Sequence, residues 1–176
     1  YPYTPNRFES YLMQQLKLAT QLHRCGQMPV AIRSRPRDLG WDVAAMVRSL
    51  NEPEITIEFQ SGKFVDRLKQ SALHICDNCS TTIVESFWAN HPTMILLEKN
   101  RYFDVKEEAQ EEYDVLRQCG IYHDNMESLV RQFEKIKGNV TQWWTAPSTQ
   151  RAVAFYLERQ GRCGSTLKDW KRVLSC

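Results

Sequence analysis

Leu73-His74-Ile75-Cys76-Asp77-Asn78-Cys79-Ser80-Thr81-Thr82-Ile83-Val84-Glu85-Ser86-Phe87-Trp88-Ala89-Asn90-His91-Pro92-Thr93-Met94-Ile95-Leu96-Leu97 reads as strand, hydroxyl-rich turn, helix and strand. Residues 73–76 form a short apolar run of strand length. The Cys79-Ser80-Thr81-Thr82 turn then opens a helix that runs through Ala89. Pro92 leads into Thr93 to Leu97, an almost unbroken apolar run. Such a run suits a parallel sheet whose two faces are both covered.

The same alternation extends in both directions. Phe8, Leu12, Leu16, Ala19 and Leu22 recur at helical spacing, so residues 7–24 read as an amphipathic helix. Met28 to Ile32 is a short strand ending in the basic loop Arg33-Ser34-Arg35-Pro36-Arg37-Asp38. Residues 41–50 read as helix, 54–59 alternate like a strand, and Phe64, Val65 and Leu68 sit on a short helix. Downstream, a charged helix over about 105–118 is closed by Gly120 at its C-terminal cap. Asp124 with Glu127 is expected to cap the next helix, whose apolar stripe is Met126, Leu129, Val130, Phe133 and Ile136. From about 140 the tail is helical and rich in tryptophan, with Pro147 suited to a first helical turn. No internal repeat, low-complexity segment or linker interrupts residues 1–176. The expectation is one α/β domain with a Rossmann-like, doubly wound open parallel sheet and helices on both faces.

Composition excludes several function classes. The 23 basic and 21 acidic side chains give a net charge of +2, which argues against a nucleic-acid binder or a polybasic membrane anchor. No stretch approaches the length of a membrane-spanning apolar run. Tyr1-Pro2-Tyr3-Thr4-Pro5 lacks the basic and apolar regions of a signal peptide, and the chain has no initiating Met. A cytoplasmic chain that is an excised piece of something longer, or a processed one, is therefore expected, with the inner face of the membrane as one station. The six scattered cysteines are read as reduced thiols. Cys76-x-x-Cys79 has no second pair to complete a zinc site, and the four histidines show no metal-ligand spacing. Nucleophile-elbow, Walker A and GxGxxG patterns are all lacking.

In open α/β sheets, ligands bind outside the carboxyl ends of the strands. Two such ends carry suitable groups. Arg33, Arg35 and Arg37 follow the first strand, and Ser80, Thr81 and Thr82 follow the strand at 73–76. A helix N-terminus offers free N–H groups and a positive dipole, so a nucleotide phosphate fits there, and arginines add bidentate charge. Glu85, one turn into the helix, is placed to accept hydrogen bonds from ribose hydroxyls. Each feature also has a plain reading: Ser80 or Thr81 as a helix cap, the arginines as a solvated loop paired with Asp38 and Asp42, and Glu85 as a complement to the helix dipole. His123 is the one stray base, or else a polar loop residue. Trp143-Trp144 reads as core or as an interdomain patch.

Beyond these single features, a set of motifs runs in order over about residues 28–160. They are Arg33-Ser34-Arg35-Pro36-Arg37-Asp38-Leu39-Gly40-Trp41-Asp42, Ser80-Thr81-Thr82-Ile83-Val84-Glu85, Asn90-His91-Pro92-Thr93, Tyr102-Phe103 with Glu107-Glu108-Ala109, Gly120-Ile121-Tyr122-His123-Asp124, and Trp143-Trp144-Thr145-Ala146-Pro147. In these the chain resembles the transferase family of bacterial surface-carbohydrate biosynthesis, a GT-B-like group. It is more distantly similar to CDP-glycerol glycerophosphotransferases. The resemblance implies a C-terminal, donor-binding domain in which a nucleotide-activated sugar or polyol phosphate lies over the Ser80–Thr82 turn. Glu85 would hold the ribose and Arg33, Arg35 and Arg37 would face the phosphates. It also implies that the acceptor, a surface polysaccharide precursor, and the catalytic base come with a preceding N-terminal domain. The donor is a substrate, and neither cofactor nor metal is called for. The approach to the turn, Asp77-Asn78-Cys79-Ser80, departs from the family pattern in lacking a glycine, which restricts how closely backbone and phosphate approach. The alternatives are a non-catalytic GT-B-like binding or assembly module, or half of a sugar-nucleotide epimerase.

Overall fold

A computed structural model describes residues 5–34, 41–59, 62–98 and 105–160. Helix α1 (Pro5–Gly26) is followed by β1 (Val30–Ser34), α2 (Val43–Arg48), β2 (Ile55–Phe59), α3 (Phe64–Leu68), β3 (His74–Cys76), α4 (Thr81–Trp88) and β4 (Thr93–Leu96). After these come a 3-10 turn (Glu107–Ala109), α5 (Gln110–Gln118), β5 (Tyr122–His123), α6 (Met126–Ile136), α7 (Val140–Trp144) and α8 (Pro147–Gln160). The chain has an α/β fold in which every strand pairing among the described residues is parallel. β1 pairs with β2, Val30 opposite Ile55 and Ser34 opposite Phe59. A second sheet has the order β3-β4-β5, with Ile75 opposite Met94 and Ile95 opposite Tyr122.

Side-chain alternation along β4 explains why both faces of this sheet are covered. Ile95 points into a cluster with Ile83 and Phe87 of α4, Tyr113 and Leu116 of α5, and Trp144, Ala152, Val153 and Tyr156 of α7 and α8. Met94 and Leu96 point the other way, onto Leu18 and Leu22 of α1 and Leu129, Phe133 and Ile136 of α6. All four β4 residues are fully buried, as the unbroken apolar run requires.

α1 links the two sheets. Its Leu18 and Leu22 serve the larger sheet, while Leu12, Leu16 and Ala19 pack with Ile32, Ile55, Val43 and Val47. The two sets lie on adjacent stripes of one helix because successive residues are offset by about 100°. Close packing at the end of α1 depends on Gly26, where a Cβ would sit 2.9 Å from the Phe133 ring.

One strand is added and two local readings are corrected. β5 is a two-residue strand, too short to register as a periodic pattern. The charged helix begins as a 3-10 turn, with α geometry only from Gln110. α6 is capped by Asn125, whose Oδ1 accepts from the Ser128 amide at 2.8 Å. Asp124 is instead drawn into an ion pair with Arg117 at 3.2 Å. Gly120 does close its helix in the left-handed region, at φ 71.

Candidate functional site at the carboxyl end of β3

β3 ends at Cys76, and α4 begins five residues later at Thr81. Ser80 is the N-cap residue, extended at φ −141 and ψ 168, and its side chain makes no capping hydrogen bond. Its Oγ lies instead 2.6 Å from Thr82 Oγ1, which lies 3.3 Å from the Cys76 Sγ. The Cys76 thiol donates onward to the Asn78 carbonyl at 3.1 Å, and burial raises its pKa, so it stays a thiol. The plain capping reading of Ser80 is thus not what the side chain does. The first N–H groups of a helix have no carbonyl partner inside it. At α4 the Ile83 amide donates back to the Ser80 carbonyl at 3.2 Å, and the Thr81 and Thr82 amides precede it beside two hydroxyls. If Thr82 donates to Ser80, the Ser80 proton is free to point out of the turn, so a small rotor change converts the pair into an outward donor. Thr81 is exposed on the same turn, and Glu85 is exposed one turn further along α4.

The loop between strand and helix is anchored from a distance. Asp77 Oδ1 accepts from the Tyr11 hydroxyl at 2.8 Å, and Oδ2 accepts from Gln15 Nε2 at 2.6 Å. Asn78 Nδ2 adds a longer bond at 3.3 Å to Oδ1. Burial raises the Asp77 pKa and these donors oppose the rise. Burial, then the Asp77 charge, raises the Tyr11 pKa, so its hydroxyl remains a donor. On the other side of the turn, Tyr113 and Tyr156 pack edge-on at 5.7 Å in the same cluster as Cys76 and Ile83. The backing for the turn therefore comes from α1, α5 and α8.

Arg33 sits at the carboxyl end of β1. Its Nη2 donates to the Gly62 carbonyl at 3.3 Å, and its guanidinium lies 5.9 Å from the Phe64 ring centre. Among the described residues no hydrogen bond joins Arg33 to the Ser80–Thr82 turn. A packed path does lead there. Phe64 meets the His74 ring edge-on at 5.2 Å, and His74 Nδ1 lies 2.9 Å from Ser86 Oγ in α4. Arg35 and Arg37 lie outside the described residues, as does Tyr102.

His123 has no free ring nitrogen. Nε2 lies 3.0 Å from the Gly120 carbonyl and must donate to it, so Nδ1 accepts from Ser128 Oγ at 2.7 Å. Burial lowers its pKa. The tryptophans are held as core: Trp144 Nε1 donates to the Asn90 carbonyl at 3.0 Å, and Trp143 Nε1 donates to the Cys119 carbonyl at 2.9 Å. Trp41 is half-buried and packs on Phe8 at 5.6 Å.

A family model described as LIC12162 family transferase matches residues 1–174. The chain belongs to this family. Comparison with curated proteins and with solved structures gave no match. Membership makes group transfer the chemistry to be explained, and no described helix is long and apolar enough to cross a membrane. Within this LIC12162 transferase, sequence reasoning missed Tyr11, Gln15 and Asp77, which hold the turn. The visible signal was a polar i, i+4 pair beside the apolar stripe of α1. Glu112 was missed too. It is 2% exposed, with Oε1 accepting from Gln160 Nε2 at 3.2 Å and Oε2 unpartnered among the described residues.

Proposed function

We propose that this chain is the donor-binding half of a GT-B-type transferase that moves a glycosyl or polyol-phosphate group from a nucleotide donor to a surface polysaccharide precursor. The observation that carries the reading is the α4 N-terminus at the carboxyl end of β3, left without a side-chain cap beside the Ser80–Thr82 hydroxyl pair. An anion there is stabilised by helix N–H groups, the dipole and rotatable hydroxyls. In this reading Glu85 takes the ribose and Arg33, with Arg35 and Arg37, approaches the phosphates from the β1 side. The protein's contribution to rate is positioning and stabilisation of the leaving nucleotide phosphate. The acceptor and the general base come from a second domain at the inner face of the cytoplasmic membrane. His123 is not that base, since both its ring nitrogens are engaged.

Calorimetric titration of the chain with CMP, CDP, UMP, UDP and GDP tests the reading. Binding of at least one in the micromolar-to-millimolar range is expected. No heat with any of them rejects it.

A further inference from the structure

The far edge of the larger sheet carries a second, separate feature. Beside β5 an open cleft of about 380 Å³ is lined by Arg117, Gln118, Gly120, Gln132, Arg131 and Lys135 among others. Arg117 reaches in from the end of α5, and Arg131 and Lys135 come from one face of α6. We propose that this cleft is a binding site for a phosphoryl group, distinct from the nucleotide turn, from which it is separated by the whole width of β4.

Four observations point to a ligand here. Arg131 and Lys135 stand at i and i+4, a spacing at which like charges destabilise a helix, and neither has an ion-pair partner among the described residues. Arg117 is fixed in place, its guanidinium 5.0 Å from the Tyr122 ring centre and 3.2 Å from Asp124. Arg117 is flanked by Asp124 in the lining and by Asp114 at 3.9 Å, so among the described residues the uncompensated positive charge of the cleft is carried by Arg131 and Lys135. Gly120 provides the room. A Cβ there would lie 2.6 Å from the Gln132 amide group, at a backbone φ of +71 that L side chains rarely adopt. The glycine thus lets the Gln132 amide lie against the backbone at 120 within the cleft lining, adding amide donors to it. A tetrahedral oxyanion with two or more charges fits this array of guanidinium, ammonium and amide donors. A neutral sugar would leave the charges uncompensated.

The phosphoryl group has two sources, a soluble phosphate ester or a lipid headgroup, and the test distinguishes them. Backbone amide spectra of the full chain are recorded with inorganic pyrophosphate and with sodium chloride at matched ionic strength. Sedimentation with vesicles of phosphatidylglycerol in phosphatidylcholine, against phosphatidylcholine alone, is measured in parallel. The variants are Arg131→Glu with Lys135→Glu, and a control reversing the exposed Lys63 and Lys69. Shifts at residues 117–135, weakened at least tenfold by the α6 pair and not by the control, are expected with pyrophosphate, while any shifts at residues 77–85 report the nucleotide turn and do not change with the α6 pair. If instead vesicles alone recruit the chain, with the same dependence on the α6 pair, the phosphoryl source is a lipid headgroup. Shifts reproduced by sodium chloride, or any binding indifferent to the α6 pair, overturn the proposal. Because the nucleotide turn is read at residues 77–85 in the same spectra, the two sites fail or succeed independently.

Discussion

At the scale of single residues, the buried histidines set the acid sensitivity of the fold. Burial, reinforced by the neighbouring His91, lowers the His74 pKa from 6.5 to about 4. Its ring is neutral, donating from Nδ1 to Ser86, whose own proton goes to the Thr82 carbonyl at 2.7 Å. A depressed histidine pKa means that its contribution to stability is complete above pH 6.5 and is lost as pH falls toward 4. The linkage is worth up to about 3 kcal/mol. His91 and His123 are lowered in the same direction by burial. Asp77 runs the opposite way: its raised pKa makes its contribution complete below 3.8, and that contribution fades as pH rises through the folded value. Thermal melts between pH 7 and 5 should therefore show falling stability in the wild type and a flatter profile in His74→Asn. Equal slopes would contradict the assignment. Asp77→Asn keeps an acceptor for the Tyr11 hydroxyl but sets Nδ2 against Gln15 Nε2, two donors face to face, so it should lower stability by about 1–3 kcal/mol at pH 7.

At the scale of elements, the connection after α4 shows how local and distant forces combine. Asn90 ends the helix in the left-handed region at φ 48, and its carbonyl and side-chain oxygen both receive Trp144 Nε1. Asn90→Gly keeps the backbone geometry and loses one acceptor, so it should cost less than about 1 kcal/mol. Asn90→Ala adds left-handed strain of roughly 1–2 kcal/mol. Trp144→Ala should cost about 3–5 kcal/mol through the cavity it leaves among Phe87, Trp143 and α8. Chemical denaturation of the three variants checks the order, and a harmless Trp144→Ala would contradict the packing described. These elements also show what a sequence reveals. The unbroken run 93–97, the α6 stripe and Gly120 were legible because their signals are periodic or conformational and lie within one segment. The Asn125 cap was missed by one residue because Asp124 is an equally good capping type locally. Only its partner Arg117, seven positions back, draws it away. The anchoring of Asp77 by Tyr11 and Gln15 spans more than 60 residues. No local pattern encodes such a contact.

At the scale of the whole molecule, parallel strands deliver loops and helix N-termini to one edge of each sheet, the edge at which open α/β sheets bind their ligands. The Ser80–Thr82 turn was readable from its residue types and its place after a strand. That the pair bonds internally rather than capping α4 was not readable, because it depends on the Cys76 thiol beneath it. In the proposed reading the isolated chain binds a donor without transferring it, since proximity across a two-domain cleft supplies much of the barrier reduction. Donor turnover should appear only when the preceding domain is restored, and equal turnover by the chain alone would contradict the half-site reading. The central claim, an anion seat at the α4 N-terminus, is met most directly by Ser80→Asp. A carboxylate at this N-cap stabilises a helix by about 0.3–1 kcal/mol while repelling a bound phosphate. The account predicts that Ser80→Asp keeps or raises the melting temperature and weakens nucleotide diphosphate binding at least tenfold in the same calorimetric assay. Unchanged nucleotide affinity in a folded Ser80→Asp protein would place the donor elsewhere and contradict it.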